Sequence, residues 1–203
     1  MPMFPIFLKL EGRSCLLVGA GRVGEGKLQS LLRAGARVTV VSPKATPGVR
    51  RLAKSGDIVW RKRKFHRRDL EGKFLVVAAT ASHRTNEVIF DEARRRGVLC
   101  NAVDDPDHCD FYYPAVVTRG NLQIAISTGG ASPELASRLR KELESWVGPE
   151  YELWVNELGR RRKALQETPM PAPRRQQLLR RLASRRAFEQ FLRKDRDAKK
   201  PAR

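Results

Sequence analysis

The stretch Ser14-Cys-Leu-Leu-Val-Gly-Ala-Gly-Arg-Val-Gly-Glu-Gly-Lys27 decides the fold. Its apolar run Leu16, Leu17, Val18 reads as a buried strand. Gly19, Gly21 and Gly24 make a tight turn, and an amphipathic helix begins at once. Each glycine has its own reason. Gly19 lets the chain turn sharply, Gly21 lets backbone approach a pyrophosphate, and Gly24 lets the helix pack close to the strand. The N–H groups of the first helical turn, Arg22 and Val23 included, have no partners within the helix and face the phosphates. A glycine triplet is weak by itself, so the rest of the chain has to support it.

Working outward, Val23–Ala34 reads as a helix with Val23, Leu28, Leu31 and Leu32 on one face, closed by Gly35. Phe4–Leu10 is an edge strand or lead-in. Arg37–Ser42 is a second buried strand stopped by Pro43, followed by a short helix at 48–55 and a strand at Ile58–Trp60. Leu75–Ala79 is another apolar strand ending in the polar turn Thr80-Ala-Ser82. Asn86–Arg96 is a helix, and Val98–Val103 a strand. Strands and helices alternating through short glycine-marked links predict an α/β fold, a Rossmann-like doubly wound parallel sheet. Ligands of such sheets bind beyond the carboxyl ends of the strands. Ser42, Pro43 and Thr80 therefore join Gly19, Gly21, Arg22, Val23 and Gly24 as candidate cofactor contacts. No carboxylate stands at the end of the second strand to hold a ribose. Ser42 can hydrogen-bond a ribose and Lys44 suits a 2′-phosphate, so the residues leave NAD and NADP both open.

The chemistry-bearing cluster is Asn101-Ala-Val-Asp104-Asp-Pro-Asp-His108-Cys-Asp110, on the same rim. Asp104, first after the strand, is the candidate for proton transfer. Asp105, Asp107 and Asp110 read as turn caps, and His66 and His83 as surface residues. His108-Cys109 lacks a second ligand pair at zinc spacing, so no preformed metal site is expected. Asp104 and His108 remain candidates for a transient metal contact.

Beyond Phe111 the pattern changes. Tyr113–Val117 and Leu122–Ser127 flank the turn Thr118-Arg-Gly-Asn121 as an antiparallel hairpin. A helix follows Gly129-Gly130, with Ser132 as N-cap and Pro133 at the first helical position. Its stripe is Leu135, Leu139, Leu143, Trp146. A hairpin plus one helix is a poor core, which predicts burial against a second copy of the chain. From Gly148 the chain is helical and basic, interrupted by the stiff linker Thr168–Pro173, with residues 194–203 expected to be disordered. The expected organisation is a dinucleotide-binding domain over 1–112, a small α+β dimerisation segment over 113–147, and a basic helical domain over 148–203.

The 203 residues carry a net charge of +19, and residues 146–203 hold 16 Lys/Arg against 7 Asp/Glu. A solvated basic surface, a polyanionic substrate and nucleic acid all fit that charge. Nucleic acid is disfavoured, because no aromatic residues interleave the basic runs Arg160–Lys163 and Arg174–Arg175 and no zinc-finger or RNA-binding signature occurs. A nucleotide-sensing regulator that binds DNA through basic helices stays as an alternative, as does a dehydrogenase for another polyanionic substrate. Three cysteines form no disulfide framework. No apolar run approaches a membrane span, and the N-terminus lacks the basic region of a signal peptide. A soluble protein of the reducing cytoplasm is expected, with no membrane partner.

Several segments together resemble the precorrin-2 dehydrogenase family, the NAD-dependent module of siroheme synthase. They are Leu8–Gly12, Cys15–Gly24 with Lys27, Gly35–Pro43, Val77-Ala-Ala-Thr80 with Asn86, Cys100-Asn-Ala-Val-Asp104, Phe111 with Pro114, and Ile126–Pro133. The resemblance covers residues 4 to about 147 and is far more specific than the glycines alone. It implies oxidation of precorrin-2 to sirohydrochlorin with NAD as hydride acceptor and Asp104 as the catalytic residue. Asn101, Thr128, Gly129 and Ser132 are implied as substrate contacts. It further implies an intertwined homodimer, and insertion of ferrous iron by the same aspartate in some members. Thr128 stands where some members carry a phosphorylatable serine, and the fused methyltransferase domain of some siroheme synthases is not expected here. A polycarboxylate substrate would account for part of the basic charge.

Overall fold

The computed structural model describes residues 3–198, with side chains described through 194. The chain divides into two compact units, Met1–Tyr113 and Pro114–Arg203. In the first unit, residues 3–10 form an irregular lead-in. Then come β1 (Ser14–Ala20), α1 (Arg22–Arg33), β2 (Arg37–Ala45), α2 (Pro47–Lys54), β3 (Ile58–Arg61), β4 (Leu75–Ala78), α3 (His83–Arg95) and β5 (Leu99–Ala102). The five strands are all parallel, in the order β3-β2-β1-β4-β5. The order reverses at β1, so the crevice of a doubly wound sheet opens beyond its carboxyl end.

The alternation of strand side chains builds two cores, one on each face. Cys15, Leu17, Val38, Val40, Leu75 and Val77 pack with Leu28 and Leu31 of α1 and Val49 of α2. Leu16, Val18, Val41, Val76, Ala78 and Cys100 pack with Ile89, Phe90 and Ala93 of α3. Continuous apolar runs are what a strand covered on both faces requires.

Local departures from the sequence reading have physical causes. β2 runs through Pro43 instead of stopping there. Pairing with β1 passes from Val18↔Val41 to Ala20↔Ala45 across an irregularity, and pairing with β3 ends at Val41↔Arg61. Pro43 falls in that gap, so its missing N–H removes no ladder bond. α3 starts three residues before the expected Asn86, because the Ser82 hydroxyl accepts a hydrogen bond from Thr85 N–H and caps it.

The second unit holds the antiparallel hairpin β6 (Ala115–Arg119) and β7 (Leu122–Ile126), then α4 (Pro133–Trp146), α5 (Glu150–Glu167), α6 (Ala172–Leu182) and α7 (Arg185–Ala198). Tyr151 and Trp154 of α5 stack on Phe188 and Phe191 of α7. Among the described residues of this unit, only Val117, Ala136 and Trp154 are buried apolar side chains. Disorder expected from residue 194 is corrected as far as Ala198, where α7 continues. Residues 199–203 of that stretch lie outside the described residues. No described helix is long and apolar enough to cross a membrane.

Candidate functional site

The crevice at the carboxyl end of the first unit's sheet is an open cleft of about 1060 Å³. Its wall includes Gly19, Gly21, Arg22, Val23, Gly24, Ser42, Thr80 and Asp104. The structure thus brings the glycine turn, the ends of β2 and β4 and the candidate proton-transfer residue into one concavity. Pro43 and Asn101 are not on its wall.

The three glycines are required for three different reasons. Gly19 has φ +96°, and a Cβ there would overlap the carbonyl of Ala79. A Cβ at Gly24 would overlap the carbonyl oxygen of Gly19. At Gly21, the N-cap of α1, a Cβ would meet nothing within 4 Å. That open space, beside the partnerless N–H groups of the helix, is where a pyrophosphate can approach the backbone, so the residues fit a dinucleotide. Thr80 is fixed by buried Asn86. Thr80 N–H and hydroxyl donate to Asn86 Oδ1 at 3.3 and 2.7 Å, and Asn86 Nδ2 donates to Thr80 O at 3.2 Å. Ser42 directs its hydroxyl to Lys44 O at 2.6 Å, an internal bond that competes with a ribose contact.

Asp104 is exposed and has φ +60°, the one non-glycine residue with positive φ among the described residues. A left-handed aspartate costs about 1 kcal/mol and persists where its surroundings hold it. Here the flanking chain is tied down. Asn101 Nδ2 donates to Phe111 O at 2.8 Å, Cys100 N–H to Asp110 Oδ2 at 2.8 Å, and the Cys109 thiol to Ala102 O at 3.1 Å. Asn101 therefore braces the loop with its amide, while Asp104 is left to project into the cleft.

Two features escaped the sequence reading. Lys27 on α1 is half-buried, with its Nζ over the Tyr113 ring at 3.7 Å. Burial lowers the Lys27 pKa, and the nearby Asp104 charge opposes that shift. Only the position of Lys27 on the first helix, one turn past Gly24, hinted at this. Asp105 is also not the turn cap expected of it, since it is buried and caps nothing with its side chain. Its Oδ2 lies 2.8 Å from His108 Nδ1 and 3.3 Å from His83 Nδ1. The hydrogen bond to Asp105 raises the His108 pKa. His108 is thus paired with Asp105 where the sequence reading coupled it to Asp104.

Thr128, Gly129 and Ser132 belong to the second unit. Thr128 Oγ1 accepts from Ser132 N–H at 3.1 Å and donates to Ser132 O at 3.0 Å. Gly129 has φ +64°, and the Ser132 hydroxyl caps α4 by accepting from Leu135 N–H at 3.1 Å.

A parallel sheet in this order, with a glycine-lined helix start at its switch point, defines a dinucleotide-binding protein of the Rossmann type. The chain belongs to a family of NAD(P)-binding proteins, whose model matches residues 6–115. A second family model, sirohaem biosynthesis protein central, matches residues 119–145. The chain is 45% identical over 145 residues to siroheme synthase 1 of Aeromonas salmonicida, covering 71% of this chain and 31% of that protein. It is 45% identical over 147 residues to the siroheme synthase of Methylococcus capsulatus, covering 72% and 31%. The chain therefore spans about a third of the length of these curated relatives. Among solved structures it resembles SirC, precorrin-2 dehydrogenase, with a TM-score of 0.78, 27% identity, and coverage of 95% of this chain and 100% of that one. The resemblance and the fold class read from the sequence are borne out.

Proposed function

We propose that the chain is an NAD-dependent precorrin-2 dehydrogenase, oxidising precorrin-2 to sirohydrochlorin in siroheme biosynthesis. The observation that carries this reading is that Asp104 lines the same cleft as Gly19, Gly21 and Gly24. The likeness to siroheme synthases and to a precorrin-2 dehydrogenase supports the choice of substrate.

The cofactor NAD supplies a hydride acceptor at this cleft when bound. Gly19, Gly21, Gly24 and the first-turn N–H groups of Arg22 and Val23 would hold its pyrophosphate. Ser42 would border its ribose, and Thr80, held by Asn86, would flank its far half. The oxidation removes one hydride and one proton from precorrin-2. Asp104 takes the proton onto its carboxylate and passes it to water, and the charges balance with NADH and a released proton as products. Lys27 opposes the build-up of negative charge when a polycarboxylate lies beside Asp104. Asn101 acts through the loop it braces.

We further propose that residues 113–147 form a dimerisation segment between the dinucleotide-binding domain 1–112 and the helical domain 148–203. Leu135 and Trp146 of α4 are 39% and 76% exposed, a costly state for apolar side chains that a second copy would relieve. Three free thiols fit the reducing cytoplasm.

Replacing Asp104 with alanine tests the catalytic assignment. Turnover of precorrin-2 should fall at least a hundredfold while NAD affinity stays within about twofold. Unchanged turnover would remove Asp104 from the mechanism.

A further inference from the structure

Three carboxylates of the first unit, Asp69, Glu92 and Asp105, are buried, and they are neutralised differently. Asp69 is paired with Arg61 and Arg63, and Glu92 with Arg67, Arg95 and Arg96. In a chain of net charge +19, the third meets no lysine or arginine among the described residues. Asp105 faces only the imidazoles of His83 and His108, at the mouth of α3 and in the loop beyond β5.

One donor atom from each of the three side chains lies within 4.8 Å of the other two. The two imidazole Nδ1 atoms converge on the same carboxylate oxygen, at 2.8 and 3.3 Å. A tetrahedral zinc ion with bonds of about 2.0–2.1 Å holds its ligands about 3.3–3.4 Å apart. The His83 separation already has that value, and the His108 separation needs only a small opening. The His108 ring packs edge-on against Phe90 at 5.1 Å, so one side of the group is apolar. The His83 side is exposed, which leaves an entry path and room for a water as fourth ligand.

We propose that His83, Asp105 and His108 form a binding site for one divalent transition-metal ion, zinc by preference. Two imidazoles and one carboxylate are the ligand set that suits zinc, nickel and cobalt over magnesium or calcium. The site is separate from the dinucleotide cleft but adjoins it, because Ser82 and Asp104, next in sequence to two of the ligands, line the cleft. An ion here ties the start of α3 to the loop that carries Asp104, and so holds the left-handed Asp104 in place from outside the cleft. The inference does not depend on the dehydrogenase reading, since it concerns binding of an ion and not turnover.

The test is metal binding by the full chain, first stripped with a chelator and then titrated with zinc, and with cobalt as a coloured probe. The wild type should bind one ion per chain, with a cobalt spectrum of low coordination number and a raised melting temperature. His83→Gln and His108→Gln should each weaken zinc binding at least tenfold, while Asp107→Asn, an exposed neighbour, should leave it unchanged. His83 is exposed, so its variant should retain fold and NAD binding, which separates loss of the ion from loss of structure. Absence of stoichiometric binding to the wild type would overturn the proposal. So would binding that survives both histidine variants, or binding lost on Asp104→Asn but kept on His83→Gln.

Discussion

Gly24 packs directly on Gly19: a Cβ at position 24 would overlap the Gly19 carbonyl oxygen, and one at position 21 would touch nothing. The two glycines therefore fail differently when replaced by alanine. Gly24→Ala should destabilise the fold by about 1–3 kcal/mol through overpacking and also weaken NAD binding. Gly21→Ala should leave the melting temperature nearly unchanged, yet raise the Kd for NAD at least tenfold by placing a methyl group in the approach path. Thermal melts and NAD titrations of the two variants check this together. Equal NAD affinity for Gly21→Ala and the wild type would remove the pyrophosphate from that turn.

Asn86 makes three hydrogen bonds with Thr80, and it is buried. Asn86→Ala leaves the Thr80 N–H and carbonyl without those partners, at a cost of about 1–3 kcal/mol. Chemical denaturation should show that loss, and the Kd for NAD should rise as the turn after β4 loosens. A variant that is destabilised but binds NAD normally would confine Asn86 to a structural role.

Acid should loosen the first unit through Asp69. Burial pushes its pKa up, but hydrogen bonds from Arg63, the His66 N–H and Arg61 outweigh that and hold it at about 2. The unfolded chain, with an ordinary carboxyl near 3.8, binds the proton first. The stabilisation is thus fully present above about pH 5 and is lost as the pH falls towards 2. Both arginines are partly exposed, so solvent screening limits the contribution to about 1–2 kcal/mol. Denaturation midpoints between pH 6 and pH 3 should fall for the wild type, and fall less steeply for Asp69→Asn.

The parallel sheet was legible because its strands carry unbroken apolar runs, and because Gly19 and Gly35 sit where positive φ is needed. The glycine turn and Asp104 were legible for the same topological reason: both stand at carboxyl ends of parallel strands. The role of Asp105 was not, because its partner His83 is distant in sequence and is brought alongside by the crossover of α3. Ser82 hid the true start of that helix, since a cap is told from a turn residue only when its partner N–H is known. The passage of β2 through Pro43 was likewise hidden, as it rests on a gap in pairing that no local pattern encodes. Lys27 read as one more basic residue on a basic helix until packing set it over Tyr113.

The most direct measurement mixes the full chain with precorrin-2 and NAD+ under anaerobic conditions and follows sirohydrochlorin and NADH by absorbance. Both should appear together, one NADH for each sirohydrochlorin, at a rate proportional to protein. Sirohydrochlorin formed no faster than without protein, or formed without matching NADH, would contradict the dehydrogenase reading.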